Sequence, residues 1–116
     1  MDMKVVKTSV PLAELRRMAT EQFGDVIKAV VDIEQNIMAV GPEMHADGEA
    51  LLMDTEGSKR EDTWGINIYP DKTGDEFVEF DSMINLKPSF GNRSRGVESE
   101  ETKEKIRVVV ARLVML

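Results

Sequence analysis

Apolar residues recur at two spacings along this chain, and the change from one to the other outlines its elements. Leu12, Leu15, Met18, Ala19 and Phe23 lie three and four apart, predicting a helix over 11–23. Pro11 suits its first turn, where a missing N–H would be unpaired anyway, and Gly24 offers a left-handed stop. The same period returns in Ile106, Val109, Val110, Leu113 and Val114, predicting a helix over 100–115. Ser99 reads as its N-cap, with Glu100 and Glu101 favourable in its first turn.

Between these helices the period falls to two. Residues 25–33 alternate, with Ile27, Ala29, Val31 and Ile33 on one face and Lys28, Val30 and Asp32 on the other. Gln35-Asn36 reads as a tight turn into a second strand at 37–41. Trp64, Ile66 and Ile68 share a face opposite Gly65, Asn67 and Tyr69, which places Trp64 in the core. Residues 76–87 read as one long strand or two joined by a bend, and 88–96 as a loop. Residues 4–8 fit a short edge strand, 44–53 a short helix, and 54–58 a turn. The order predicts an α+β fold of two layers, a mostly antiparallel sheet with the N- and C-terminal helices on one face.

Alternation also predicts a polar sheet face bearing Lys28, Asp32, Asn67, Tyr69, Glu79, Asp81, Asn85 and Lys87. A solvated face accounts for Lys28, Glu79 and Lys87. Asn67, Asp81 and Asn85 have low strand propensity and need compensation from a turn, a bulge or a cross-strand hydrogen bond, or else a part in a site.

With 116 residues the chain is read as one domain, 1–116, and its 41% hydrophobic and 32% charged residues fit a folded, soluble protein. No apolar run is long enough to span a bilayer, and the N-terminus, beginning Met1-Asp2, lacks the apolar stretch of a signal peptide. A cytoplasmic location is the simplest expectation. The absence of cysteine removes disulfides, thiolate metal sites and a cysteine nucleophile. A net charge of −7 disfavours nucleic acid as a partner, yet Lys87, Arg93 and Arg95 lie in an acid-free stretch that would suit a small anion.

Two constellations carry chemistry. His45, Asp47 and Glu49 would let imidazole and carboxylate meet on a helix or a strand, for proton transfer or to hold a metal. One histidine without cysteine argues against zinc, leaving magnesium or manganese with Asp81 or Asp62 as further ligands. A surface His–Glu pair or a helix-start cap is the plainer alternative. In Gly91-Asn92-Arg93-Ser94-Arg95-Gly96, glycines permit close approach and the arginines can grip phosphate or carboxylate ahead of a helix N-terminus. Pairing of the same arginines with Glu98, Glu100, Glu101 or Asp81 is the equal alternative.

Taken together, Ile37-Met38-Ala39-Val40-Gly41 leading to His45-Ala46-Asp47, Trp64-Gly65-Ile66-Asn67-Ile68-Tyr69-Pro70, Ser82-Met83-Ile84-Asn85 and Gly91-Asn92-Arg93-Ser94-Arg95 resemble an uncharacterised family of small prokaryotic proteins, a domain of unknown function. Pro42 and Gly48 stand where that pattern has Gly and Ala, and Pro42 questions continuation of the 37–41 strand. The resemblance implies a shared set of polar positions and no activity.

Two functions are therefore expected to compete. In the first, a polar sheet face binds, or binds and hydrolyses, a phosphate-bearing small molecule. His45, Asp47 and Asp81 would handle protons or a divalent ion, while Asn67, Asn85, Arg93 and Arg95 hold the ligand. In the second, that face and edge strand 4–8 form a non-catalytic interaction module or homodimer.

Overall fold

In a computed structural model that describes residues 3–116, the chain builds an antiparallel five-stranded sheet with helices on both faces. The strands are β1 (Lys4–Val6), β3 (Ile27–Asp32), β4 (Ile37–Val40), β5 (Thr63–Ile68) and β6 (Val78–Glu79), in the order β1-β4-β3-β5-β6. Three helices accompany them: α1 (Leu12–Gln22), α2 (His45–Glu56) and α3 (Glu100–Leu113). Two short strands, β2 (Val10–Pro11) and β7 (Val114–Met115), pair in parallel and tie the start of α1 to the end of α3.

Local chemistry sets these boundaries. The helix at α1 gives way to Gly24 at φ 98°, a conformation open to glycine at little cost. Asn36, at φ 59°, closes the β3–β4 hairpin, with Asp32 Oδ1 accepting from the Glu34 and Gln35 N–H groups beside it. Ser99 Oγ accepts the Thr102 N–H and caps α3, a contact worth about 1 kcal/mol.

The main core lies between the sheet and the α1/α3 layer. Ile27, Ala29, Val31, Trp64, Ile66 and Ile68 meet Leu15, Met18, Ile106, Val109, Val110 and Leu113 there. A smaller cluster of Val30, Ile37, Ala39, Leu52 and Ile84 seals the other face beneath α2. The fold is the expected α+β one, a mostly antiparallel sheet with α1 and α3 on one face, and helix α2 in addition covers much of the expected open polar face. Helix α2 also runs beyond the predicted 44–53, to Glu56, and ends at the left-handed Gly57.

Pro42 ends β4 after Val40 and lies against α2, where its ring occupies space beside Gly48. A Cβ on Gly48 would come within 2.9 Å of Val30 Cγ2 and 3.2 Å of Pro42 Cγ. Pro42 and Gly48 therefore face one another.

The largest correction falls on residues 76–87. Only Val78–Glu79 is strand, and Met83–Asn85 and Pro88–Phe90 are single 3₁₀ turns. Ser82 starts the first of these turns by accepting the Ile84 N–H on its hydroxyl. Ile84 consequently joins the α2 side rather than sharing a face with Val78 and Phe80, and Asn85 and Lys87 are buried rather than displayed on a sheet.

Candidate functional site

Where β6 stops, side chains take over its pairing with β5. The Gly65 N–H donates to Asn85 Oδ1 at 2.8 Å, and Asn85 Nδ2 donates back to the Gly65 carbonyl at 3.0 Å. One carboxamide thereby imitates a ladder partner, and its Nδ2 also reaches the Arg95 carbonyl at 2.9 Å. That carbonyl further accepts the Ser82 N–H at 2.9 Å, fixing the backbone at Arg95. Asn92 staples the loop from within: Nδ2 donates to the carbonyls of Asn85, Ser94 and Gly96, and Oδ1 accepts the Glu98 N–H. Asn85, fully buried, is therefore a scaffold residue and not a ligand contact.

This scaffold borders a cleft of about 250 Å³ between the start of α2, strands β3 and β5, and residues 81–84. Lys28, Glu43, His45, Asn67, Asp81 and Arg95 line it. Arg95 Nε pairs with Asp81 Oδ1 at 2.9 Å across its rim, and Lys28 has no ion pair among the described residues. Helix α2 begins at the cleft with no side-chain cap on its first N–H groups. Asn67 Nδ2 donates to Glu79 Oε1 at 2.9 Å and to the Asp81 carbonyl at 3.3 Å, while its buried Oδ1 has no hydrogen-bond partner among the described residues.

His45 is nearly buried over β5, with Nε2 2.8 Å from the Ile66 carbonyl. A carbonyl only accepts, so Nε2 carries the proton and Nδ1 keeps the lone pair. Burial lowers the ring pKa, the Ile66 carbonyl opposes that shift, and Lys28 reinforces it. Asn67 also favours the protonated ring, at a geometry short of a full hydrogen bond. The imidazole is neutral near pH 7.

The remaining predicted residues divide. Asp47 and Glu49 do not meet His45. Asp47 lines a different hollow with Pro42 and Ala50, whereas Glu49 turns the other way, accepting from Thr63 Oγ1 and pairing with Arg60 at 3.2 Å. The i,i+4 spacing failed because Glu49 finds a hydroxyl and a guanidinium beneath the helix, while His45 finds a sheet carbonyl. Arg93 lies outside the cleft lining, and Glu98 pairs with its backbone N–H rather than its guanidinium. Among the described residues no three His, Asp or Glu side chains gather as a set able to hold a metal.

Sequence reasoning assigned Lys28 and Lys87 to a solvated face and gave Ser82 and Asn92 no role of their own. Lys87 is buried with Nζ donating to the Arg60 and Thr63 carbonyls and lying 3.9 Å from the Trp64 ring centroid. Its pKa is lowered to about 8, chiefly by burial, with the Arg60 charge adding to the shift. No spacing signal announces such a lysine; its only hint is a place between two buried asparagines.

A larger groove, about 600 Å³, lies on the α1/α3 side against residues 70–78. Its walls are mainly apolar and it contains none of the predicted site residues, so volume and chemistry point to different places. Convergent polar groups, not volume, identify the cleft at His45.

The family model described as Protein of unknown function (DUF5674) matches residues 4–113, and the chain belongs to that family. No curated protein and no solved structure matches it. No helix among the described residues is long and apolar enough to cross a membrane.

Proposed function

We propose that this DUF5674 chain binds a small anionic ligand, with a phosphate-bearing metabolite as the best fit, in the cleft at the start of α2. The observation that carries this reading is the meeting there of three groups: Lys28, without an ion pair among the described residues and 5.2 Å from the Phe23 ring centroid; a helix N-terminus without a side-chain cap; and Arg95, paired with Asp81. Backbone N–H groups and fixed cations together favour oxyanions. A volume of about 250 Å³ suits a phosphate with a small attached group rather than a nucleic acid or a large cofactor.

Binding is better supported than hydrolysis. Ser82 Oγ and the Cδ2 edge of the His45 ring both border the space above Gly65, and His45 Nε2 is turned to the Ile66 carbonyl. The serine oxygen is occupied by the Ile84 N–H, and no carboxylate orients the imidazole as an activating base would require. His45 remains able to take a proton at Nδ1 from a bound ligand.

Calorimetric titration with inorganic phosphate tests the reading. Lys28→Ala should weaken binding about tenfold or more, the loss of one charged hydrogen bond, while Arg93→Ala should leave it unchanged. Equal affinity in Lys28→Ala and wild type, or a loss confined to Arg93→Ala, would place the anion elsewhere.

A further inference from the structure

Resting on the reading above, we infer that the anion held in the cleft carries a small aromatic group, which Met44 and Met83 cover. An aryl phosphate monoester is the ligand class that this lining fits.

Met44 and Met83 are 64% and 63% exposed, and both line the cleft. Among the described residues neither joins a hydrophobic cluster, so neither side chain serves to fill the core. They come from separate elements. Met44 immediately precedes α2, and Met83 opens the 3₁₀ turn that Ser82 caps. Exposed apolar side chains are ordinary when scattered singly, but two that border one polar cleft mark a contact surface.

The place of Met44 is the more telling. It occupies the N-cap of α2 with extended backbone, φ −128° and ψ 143°, where Ser, Thr, Asp or Asn would satisfy a helix N–H. Methionine cannot cap there, so the fold forgoes a stabilising hydrogen bond and exposes an apolar chain instead. The same residue thus leaves first-turn N–H groups to an anion and sets a thioether beside them.

The lining therefore offers two kinds of contact. Lys28, Arg95 and the start of α2 meet charge, whereas Met44, Met83, Ala46 and Ile84 meet an apolar body. Glu43 and Asp81 offset the charge of the two cations, so apolar contact adds affinity that attraction alone does not supply. A thioether on three rotatable bonds adapts to a flat ring and makes favourable sulfur contacts at its edge. Glycerol or sugar phosphates would set hydroxyls against those methyl groups and gain less. A cleft of about 250 Å³ suits one ring beside a phosphate. Taking about 50 Å² of apolar surface out of water on binding corresponds to about tenfold in affinity.

Calorimetry with phenyl phosphate, glycerol 3-phosphate and inorganic phosphate tests this, alongside NMR spectra of protein labelled at its methionine methyls. Phenyl phosphate should bind about tenfold tighter than either other probe. It should shift the Met44 and Met83 signals and leave those of Met18 and Met38, buried in the main core, unmoved. The double variant Met44→Ala, Met83→Ala should bring the ratio of phenyl to inorganic phosphate affinity close to one. Phosphate bound without a preference for the phenyl ester, or phenyl phosphate bound with both methyl signals unmoved, would overturn the inference and leave the anion site standing. Equal phenyl phosphate affinity in wild type and Lys28→Ala would remove the anion reading, and this inference with it. Binding of none of the three would overturn both.

Discussion

At the scale of single residues, the three buried asparagines divide the labour around the cleft. Asn85 replaces a missing strand, Asn92 ties up four backbone groups of its own loop, and Asn67 ties β5 to Glu79 and the Asp81 carbonyl. Asn85→Ala would leave the buried N–H and carbonyl of Gly65 without their partner, and should cost about 2–4 kcal/mol in denaturant unfolding. Asn85→Asp should recover little, since a carboxylate cannot donate to the Gly65 carbonyl. The sequence marked Asn67 and Asn85 as misfits for a strand, and that much was legible, because amide side chains compete poorly for pleated positions. Which of them lines the cleft was not legible. Both amides hydrogen-bond to β5 or its neighbour, and only their places in the fold separate them.

The elements show why some segments were readable and others were not. Helices α1 and α3 bury long aliphatic stripes, so their period appears in the sequence, as does the alternation of β3 and β5. Helix α2 buries His45, Gly48 and Leu52, a stripe of helical period in which only leucine registers as hydrophobic. Residues 76–87 misled for the opposite reason: β-branched and aromatic residues alternate there, but Ser82 turns the backbone after β6. Gly48 is the point on which the seating of α2 depends. On an exposed helix Gly→Ala would gain about 1 kcal/mol. Here the new methyl would press on Val30 at 2.9 Å, and overpacking of that kind costs about 1–3 kcal/mol. Gly48→Ala should therefore destabilise the protein slightly or leave it unchanged in thermal melts, whereas a clear gain would mean that α2 does not sit this close to β3.

At the scale of the whole molecule, the sheet separates two regions of different character. One side holds the main core and the apolar groove under α1 and α3; the other holds the small α2 cluster and the polar cleft. Membership of a family of unknown function covers residues 4–113 and thus includes every residue of the cleft. The fold brings His45, Asn67, Asp81 and Arg95 together from four separate segments, a convergence that no local spacing could announce. It sends Asp47 and Arg93 elsewhere, because the side of α2 and the course of the 92–98 loop are fixed by packing rather than by sequence proximity.

An amide-resolved NMR titration of the protein with inorganic phosphate tests the central claim most directly. The account predicts saturable shifts at Lys28, His45, Ala46, Asn67 and Arg95, with Asp47 and Arg93 unmoved. Shifts centred instead on Arg16 and Arg107 in the apolar groove, or no saturable shift with the fold intact, would contradict it.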